Sequence, residues 1–405
     1  MPILEAKLGN SVTTYGAVAK LFHWLTALLI VTIYPLGLVA NDWPYDTSAQ
    51  LAAKATLFSI HKTLGITVFF VALLRILWAL SQPKPGPLHA DRKVETWLAE
   101  LVHWLLYISI VLVPLTGWID HAATTGFAPI WWPLGQDLPF VPKSEAVAHL
   151  FGGLHNLFTN LLLGAFVLHV AGAVKHQVID RDMTLKRMLP GTAAVAMTET
   201  PHSYTPVLAA FAIFAAAVAF GFASAPDGGS PADPAPQLAA QPSDWTVQDG
   251  TLGLAVNLFG APVKGSFADW TASIAFDPDA PGPDMGSVTV DIAIPSLTLG
   301  SVTADALKPE FFDADTYPTA RYVAAIRAGE TENTYLAEGM LTLKGVEKPV
   351  TLPFTLGLDG DTAAMNGIAS INRRDFGIGT KSYGDEKTVA FEVEVDIALT
   401  ASRTK

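Results

Sequence analysis

Five apolar stretches constrain the fold of this chain more than any other feature. They cover about residues 18–40, 57–80, 98–119, 149–175 and 204–224. A helix of about 20 apolar residues crosses the ~30 Å hydrocarbon core of a bilayer, and lipid requires backbone polar groups to be bonded internally. We therefore expect five transmembrane helices. Half of the 405 residues are hydrophobic and only 15% are charged, which agrees with a membrane protein.

The second part of the chain has a different pattern. Residues 225–243, APDGGSPADPAPQLAAQPS, have no periodicity and predict an extended linker. Beyond them apolar residues alternate with polar ones, as in 288–294, 350–358 and 389–399. This period of two is typical of half-buried strands, which need to close on themselves or on a second sheet. The sequence therefore predicts an all-β antiparallel barrel or sandwich after the helices.

Charge and cysteine content exclude several classes of function. Residues 1–224 carry 13 Lys+Arg and 12 Asp+Glu, whereas the remaining 181 residues carry 12 and 25. An acidic β part argues against nucleic acid as a partner. The chain has no cysteine, which excludes disulfides, iron–sulfur clusters and thiolate-ligated haem. The β part has neither His nor Cys, so binding is a better interpretation for it than catalysis.

The distribution of Lys and Arg predicts the orientation in the membrane. Positive residues follow the second span, at 84, 92 and 93, and the fourth span, at 175, 181, 186 and 187. Cytoplasmic flanks carry the positive excess, so the N-terminus should be cytoplasmic and the β part outside. The fifth span also resembles a signal peptide with a small-residue cleavage site. We interpret it as an intact anchor, and cleavage after Ala225 is the alternative.

All ten histidines lie in the first part, and four of them are suitably placed for a cofactor. His155 and His169 are 14 residues apart on the fourth helix, about 21 Å along one face. His23 begins the first helix on the cytoplasmic side, and His61 begins the second on the outer side. In an alternating bundle, His23 is level with His169 and His61 with His155. The pattern predicts two bis-histidine sites, one per leaflet.

Iron porphyrin suits such sites because neutral imidazoles fill both axial positions of the metal. Zinc is a weaker interpretation, since it prefers about four convergent ligands and the spans offer few carboxylates. Histidines hydrogen-bonded inside the bundle are the structural alternative. His103 competes with His23 or His169, and could instead contact a quinone or a haem propionate. Arg75 is interpreted as reaching the interface, with a propionate contact as the alternative.

The remaining histidines are not assigned to a cofactor. The position of His149 rotates it about 200° away from His169 on the fourth helix. The other four are interpreted as loop or interface residues: His89, His121, His176 and His202.

The first part resembles the bacterial cytochrome b561 family over about residues 12–190. The motifs are Leu21-Phe22-His23-Trp24, Ile60-His61-Lys62-Thr63-Leu64-Gly65, Pro114-Leu115-Thr116-Gly117-Trp118, and the run from His155 through His169 to Met183-Thr184-Leu185-Lys186-Arg187. The resemblance implies that His23, His61, His155 and His169 bind two haem b groups. It also implies electron exchange with the isoprenoid quinone pool, and superoxide oxidation in some members only.

The second part is similar to the YceI-like family over about residues 244–402. The motifs are Phe267-Ala268-Asp269-Trp270, the run from Phe311 to Ala320, and the run from Gly339 to Val350. The resemblance implies a lipocalin-like barrel that holds a polyisoprenoid lipid. However, residues 297–308 lack the His- and Arg-containing stretch common in that family. A dry packed core is the alternative. The Arg373-Arg374-Asp375 run is interpreted as a charged turn, with an anion site as the alternative.

The sequence therefore predicts a membrane all-α four-helix haem bundle with a fifth transmembrane helix, followed by a lipocalin-like barrel. The expected segments are a di-haem domain over 1–195, the fifth helix over 204–224, the linker over 225–243 and the barrel over 244–402. The expected location is the bacterial inner membrane with a periplasmic barrel. The expected function is transmembrane electron transfer between the quinone pool and an unidentified redox partner. The rival is a lipid-handling or sensing protein whose haems are structural or report redox state.

Overall fold

The computed structural model describes residues 8–89, 91–124, 128–133, 135–191, 203–224, 238, 242–300 and 302–404. The predicted linker lies outside this range except for residues 238, 242 and 243, and so do His202 and Ala225. The described chain forms two compact units, one mainly helical and one mainly β. Each unit is described by itself.

The helical unit contains five long apolar helices among the described residues, as predicted. They are α1 (Ala17–Asp42), α2 (Ser48–Leu80), α3 (Lys93–Ala123), α4 (Glu145–Lys175) and α5 (Thr205–Ser224). The second helix begins nine residues before the predicted start. That first part is rich in Ala and polar residues, which are compatible with a helix but carry no membrane signal.

The centre of the bundle is a small apolar core with contributions from four helices. Ile30 of α1, Val68 and Ala72 of α2, Ile110 of α3 and Leu162 of α4 are buried together. Helix α5 packs on the outside of α3 and α4 through a second cluster. There Phe158 and Phe214 meet edge to face, with ring centroids 5.3 Å apart.

Two helices contain a proline in their middle, Pro35 in α1 and Pro114 in α3. Proline lacks the backbone N–H and its ring clashes with the preceding turn, so it loosens the local hydrogen bonds of a helix. In both helices a glycine follows within one turn, at Gly37 and Gly117. The same two places receive histidine side chains from neighbouring helices.

The chain after α4 turns sharply. A π-helical turn (His176–Asp180) leads through Arg181, whose φ of 53° is left-handed, to a short 3-10 helix (Lys186–Met188). Helix α1 holds this segment, because Trp24 Nε1 donates to the carbonyl of Met188 at 2.7 Å. Lys20 Nζ donates to the carbonyl of Leu189 at 2.8 Å.

Among the residues that the structure describes, the β unit is one antiparallel sheet of ten strands with a short helix, α6 (Thr303–Ala306). The strands are β1 (Trp245–Leu258), β2 (Ala261–Phe267), β3 (Trp270–Phe276), β4 (Asp284–Ala293), β5 (Leu297–Thr298), β6 (Thr319–Ala328), β7 (Thr334–Leu343), β8 (Val346–Asp359), β9 (Thr362–Asn372) and β10 (Val389–Arg403). Their order is β3-β4-β6-β7-β8-β9-β10-β1-β2-β5. The three alternating segments of the sequence lie in β4, β8 and β10, as predicted.

The sheet curls on itself as a lipocalin-like half-barrel. The start of β1 approaches β3, where the N–H of Asp244 donates to the carbonyl of Ile274 at 2.9 Å. The indole N–H of Trp245 donates to the carbonyl of Phe276, also at 2.9 Å. The apolar face of each strand therefore points to a shared interior.

The interpretation of Arg373-Arg374-Asp375 as a charged turn is wrong for Arg373. The turn exists (Arg373–Phe376), but Arg373 is only 2% exposed. Its guanidinium donates to five backbone carbonyls, those of Ala390, Ile378, Gly379, Tyr383 and Val389, at 2.6 to 3.0 Å. All five donors of the side chain are used, so it braces a loop and does not form an anion site.

Candidate haem-binding sites

The first histidine pair joins α2 to α4. The ring centroids of His61 and His155 are 6.5 Å apart, with an interplanar angle of 85°. We call these residues the 61/155 pair. The two residues are separated by 94 positions in the sequence and by one whole helix, α3, so the packing of the bundle brings them together.

Each ring of the 61/155 pair is fixed by the backbone of a proline-containing helix. His61 Nδ1 lies 3.1 Å from the carbonyl of Ile33 in α1, and His155 Nδ1 lies 2.8 Å from the carbonyl of Val113 in α3. A carbonyl only accepts, so each Nδ1 carries the proton and donates. The lone pair is then on Nε2, the nitrogen free to ligate a metal. Metal-ligating histidines are commonly oriented in this way.

Glycines provide the space for these two rings. A Cβ at Gly37 would lie 2.7 Å from Cε1 of His61, and a Cβ at Gly117 would lie 2.9 Å from Nδ1 of His155. Both distances are shorter than real Cβ contacts. The two halves of the 61/155 site are thus built from the same parts: a proline, a glycine and a carbonyl that accepts from the histidine.

The second pair joins α1 to α4. The ring centroids of His23 and His169 are 6.0 Å apart, with an interplanar angle of 58°. We call these residues the 23/169 pair. His103 of α3 also contacts His169, edge to face at 5.0 Å, and its Nδ1 lies 2.6 Å from the carbonyl of Ala99 in its own helix. The structure therefore brings three imidazoles together here, including the competitor expected from the sequence.

The spacing of both pairs fits an iron between two imidazoles. With metal–nitrogen bonds of about 2 Å, two axial imidazoles have ring centroids roughly 6 Å apart. The observed separations are 6.0 and 6.5 Å. The donor set also fits, since neutral imidazole nitrogens are the axial ligands of b-type haem, and the pairs are 14 residues apart along α4, about 21 Å.

The other histidines lie elsewhere in the helical unit. His149 is exposed on α4. His121 lies in the last turn of α3, so of its two interpretations the loop is excluded and a residue near the interface remains. His89 and His176 stack with an interplanar angle of 4°. Both approach Oδ2 of Asp182, at 2.9 and 2.7 Å.

Asp182 is the acceptor at the centre of this cluster. Burial opposes its ionisation, but hydrogen bonds from Thr184, His89 and His176 hold the pKa of its carboxyl well below the usual range. The cluster ties the loop before α3 to the chain after α4, because His89 lies before α3 and Asp182 after α4.

Sequence reasoning missed a buried lysine, Lys62, and a half-buried carboxylate, Asp120, next to the 61/155 pair. Lys62 is only 8% exposed within α2, and Asp120 of α3 is the carboxylate whose charge acts on it. The signal was available, because an ionisable residue inside a membrane span is costly and functional by default. In the sequence Lys62 directly follows His61, and Asp120 directly precedes His121.

The interior of the β unit is a second candidate site. It encloses a cavity of about 210 Å³ lined by hydrocarbon and aromatic side chains, including Phe276, Leu352 and Met365. The hydroxyl of Tyr322 donates to the carbonyl of Ala337 at 2.6 Å, and burial raises the pKa of Tyr322 to about 12. That hydroxyl therefore stays neutral and bonded to the wall, and the interior is apolar.

Comparison with known proteins gives matches to both parts. The family model for prokaryotic cytochrome b561 matches residues 14–191, and that for the YceI-like domain matches residues 245–401. "Cytochrome b561 homolog 2" of Escherichia coli K12 is 29% identical over 184 residues, 44% of this chain and 93% of that protein. "Probable superoxide oxidase CybB" of Yersinia pestis is 25% identical over 169 residues, 42% of this chain and 91% of that protein.

The β part has curated and structural matches. A UPF0312 protein of Pseudomonas syringae pv. tomato is 31% identical over 141 residues, 32% of this chain and 72% of that protein. The crystal structure of Burkholderia cenocepacia BcnA is 32% identical, with a TM-score of 0.36, and the match covers 38% of this chain and 96% of that one. A Campylobacter jejuni YceI protein matches at 23% identity and a TM-score of 0.32, over 35% of this chain and 86% of that one.

The fold defines a class: a membrane protein of five apolar helices joined to a lipocalin-like β domain. The chain belongs to the prokaryotic cytochrome b561 family in its helical part and to the YceI-like family in its β part. By its family, the helical part is a haem-b protein of the membrane that transfers electrons.

Proposed function

We propose that this protein moves electrons across the bilayer through two b haems, one held by the 61/155 pair and one by the 23/169 pair. The observation that carries the proposal is the separation of the rings within each pair, 6.5 and 6.0 Å. Haem iron, when bound, alternates between the ferrous and ferric states and so supplies one-electron chemistry at each site.

The side chains of the 61/155 pair hold and orient the cofactor. Donation from Nδ1 to the carbonyls of Ile33 and Val113 fixes each ring and makes Nε2 a stronger ligand. For the 23/169 pair we assign His23, and not His103, as the partner of His169. The 5.0 Å edge contact of His103 is shorter than the roughly 6 Å that a bridging metal needs.

We further propose that the 61/155 pair faces the periplasm and the 23/169 pair the cytoplasm of a bacterial inner membrane. Lysines and arginines support this orientation, since Arg92, Lys175 and Lys186 all lie on the side of the 23/169 pair. With five spans the β domain then lies in the periplasm. Cysteine-accessibility labelling of an engineered Ser243→Cys variant in intact cells tests the orientation, and labelling only after cell lysis would contradict it.

The experiment on the haems is a reduced-minus-oxidised spectrum with haem quantification on the purified full-length chain. We expect about two haems per chain. His61→Ala and His155→Ala should each lose the same haem, and His23→Ala and His169→Ala should each lose the other. His103→Ala is the matched control and should retain two. Loss of a haem in His103→Ala together with two haems in His23→Ala would reassign the second site.

The electron partner that we propose is the isoprenoid quinone pool, with the β domain holding an isoprenoid lipid or quinone. The support is chemical: the cavity is apolar and suits a hydrocarbon chain. Rapid haem reduction by added quinol supports the electron carrier. Haems inert to quinol would support the rival, a lipid-handling or sensing protein with structural haems.

Superoxide oxidation is a second candidate, favoured by the similarity to the Yersinia pestis protein. In this reaction two superoxide ions each lose one electron to the protein and leave as O₂, and one quinone accepts the two electrons with two protons to become quinol. Haem reduction by a superoxide pulse, abolished by superoxide dismutase, is the expected result. Unchanged haem spectra after the pulse would remove this candidate and leave quinone-linked transfer intact.

A further inference from the structure

Two arginines near the 23/169 pair have no carboxylate partner among the described residues. Arg75 lies inside the membrane span of α2, and Arg187 is only 8% exposed. A buried charge without a partner is strongly unfavourable. Arg92, on the same side, does have a carboxylate partner, Asp180 at 3.2 Å. The two arginines therefore need an anion that the described residues do not supply.

Arg187 has a donor ready for such an anion. Its Nη1 donates to the carbonyl of Gly86 at 3.0 Å, while its buried Nε has no hydrogen-bond partner among the described residues. The guanidinium lies over the ring of Tyr15, 5.3 Å from the centroid. The bonds from Lys20 and Trp24 to the segment after Arg187 hold this donor in position.

Arg75 connects the same place to the histidines. Its guanidinium lies over the ring of Tyr107, 5.2 Å from the centroid. Tyr107 lies one helical turn from His103 in α3, and His103 contacts His169, so this guanidinium is on the side of the 23/169 pair.

Trp78 adds a second donor near Arg75. It lies about one turn further along α2, and its buried Nε1 also has no partner among the described residues. Two orphaned donors, Nε1 of Trp78 and Nε of Arg187, thus accompany the two guanidinium groups.

Tyr15 lies within the electrostatic reach of both arginines but is not their counter-ion. Burial raises the pKa of Tyr15, which outweighs the opposing effect of Arg187. The phenol therefore remains neutral and can donate a hydrogen bond. The pocket combines two cations, two orphaned N–H donors and a neutral hydroxyl, a set that suits a carboxylate.

We propose that Arg187 and Arg75, with Tyr15 and Trp78, form a carboxylate-binding pocket that receives the propionates of the haem at the 23/169 pair. This inference rests on the proposed function, since it requires a haem at that pair. Planar guanidinium groups bind carboxylates through two parallel hydrogen bonds, which neutral donors cannot match. The arginines then fix the orientation of the cofactor and keep its propionates ionised.

The test is a redox titration of the 23/169 haem in full-length protein carrying His61→Ala, so that one haem remains. Arg187→Gln removes the charge, and Lys186→Gln is the matched control because it removes an exposed charge one residue away. At pH 8 and a fixed ambient potential, Arg187→Gln should lower the reduced-to-oxidised ratio on the order of tenfold, because a nearby cation disfavours the ferric state. Lys186→Gln should change the ratio less than twofold.

The pH profile separates a propionate contact from a structural brace. Without Arg187 the propionate should protonate between pH 8 and 5, so the ratio in Arg187→Gln should rise towards that of the parent as the pH falls. The parent and Lys186→Gln should have flat profiles. A flat profile in Arg187→Gln with an unchanged ratio would overturn the proposal and leave Arg187 as a tie between loops.

A lipid phosphate has similar chemistry, and phosphorus analysis distinguishes it. A phosphodiester stays ionised over this pH range, so a bound phospholipid that is lost in Arg187→Gln, with a flat profile, would overturn the propionate assignment.

If Arg187→Gln does not accumulate, Arg187→Lys keeps the charge but not the bidentate geometry. It should retain the ratio within about threefold but lose haem faster to an apomyoglobin acceptor, and an unchanged loss rate would contradict the proposal. A parent without haem would instead refute the proposed function.

Discussion

The most buried arginine of the β unit illustrates what a sequence cannot reveal at the scale of one residue. Arg373 follows a strand and precedes Arg374 and Asp375, a pattern typical of a solvated turn. The carbonyls that it bonds come from residues 5 to 17 positions away, at a distance that no local rule predicts. By contrast, His23, His61, His155 and His169 could be singled out from type and spacing alone, although their ligation stays a prediction.

Arg373→Lys should destabilise the β unit by about 3 kcal/mol or more, because several buried carbonyls lose their donors and each costs about 1–3 kcal/mol. The measurement is urea-dependent pulse proteolysis of the full-length protein. Arg374→Lys is the control, since Arg374 is exposed and lies over the Phe391 ring at 3.7 Å. Its effect should stay within about 1 kcal/mol. Equal effects of the two substitutions would contradict the bracing role.

The depressed pKa of Asp182 predicts a pH dependence for the segment after α4. The ionised carboxylate of Asp182 stabilises this segment above the pKa of about 3.9 that the group has in the unfolded chain. This stabilisation is lost as the pH falls through the lower pKa of Asp182 in the folded protein. Protection of amides 183–189 from hydrogen exchange should therefore persist from pH 7 to about pH 5. Asp182→Asn should increase their exchange by on the order of tenfold at pH 7. Asp91→Asn, at an exposed loop position, should not.

At the scale of elements, apolar length predicted the helices and alternation predicted the strands. Helix ends were less predictable, because residues 48–56 and 93–97 extend α2 and α3 with residues that carry little hydropathy signal. The pairing of the strands could not be predicted from the sequence either. Strand β10 pairs with β9 on one side and with β1 on the other, although β1 is far from β10 in the chain. The proline–glycine combination in α1 and α3 is visible in the sequence. Its role is evident only from the structure, in which the two glycines leave space for the rings of His61 and His155.

Alanine at Gly37 or Gly117 should damage the 61/155 site specifically. A methyl group at either position would lie within about 3 Å of an imidazole and push it away from its carbonyl. We expect each substitution to lower occupancy of the 61/155 haem several-fold and to leave the 23/169 haem intact, as measured by haem quantification and low-temperature spectra.

Gly164→Ala is the matched control for these substitutions. Gly164 also lies in a span, nothing lies within 4 Å of its added Cβ, and nine residues of helix place it about 180° from His155. Its haem content should equal that of the parent. Equal losses in all three variants would mean that the bundle is simply intolerant of alanine, and the specific role of the two glycines would be wrong.

At the scale of the whole molecule, the change in hydrophobic period near residue 244 predicted two units of different architecture. The sequence could not predict whether the barrel interior is filled. Apolar strand faces are compatible with a packed core or with a pocket, because the choice depends on side-chain size summed over ten strands. Small residues such as Ala337, Ala363 and Ala369 line the interior and leave a cavity of about 210 Å³. An apolar cavity of about 150 Å³ already accepts benzene.

Filling the cavity tests whether the β domain holds an isoprenoid chain. Ala363→Phe directs a ring into the interior, whereas Ala364→Phe, the next residue of β9, directs the same ring outward. Because the cavity is small, a phenyl group should occupy much of it and exclude a hydrocarbon chain. Mass spectrometry of lipid extracts should find an isoprenoid in the parent and in Ala364→Phe, and at least fivefold less in Ala363→Phe, with the haem content equal in all three. An isoprenoid retained by Ala363→Phe, or absent from the parent, would mean that the apolar interior serves only to pack the barrel.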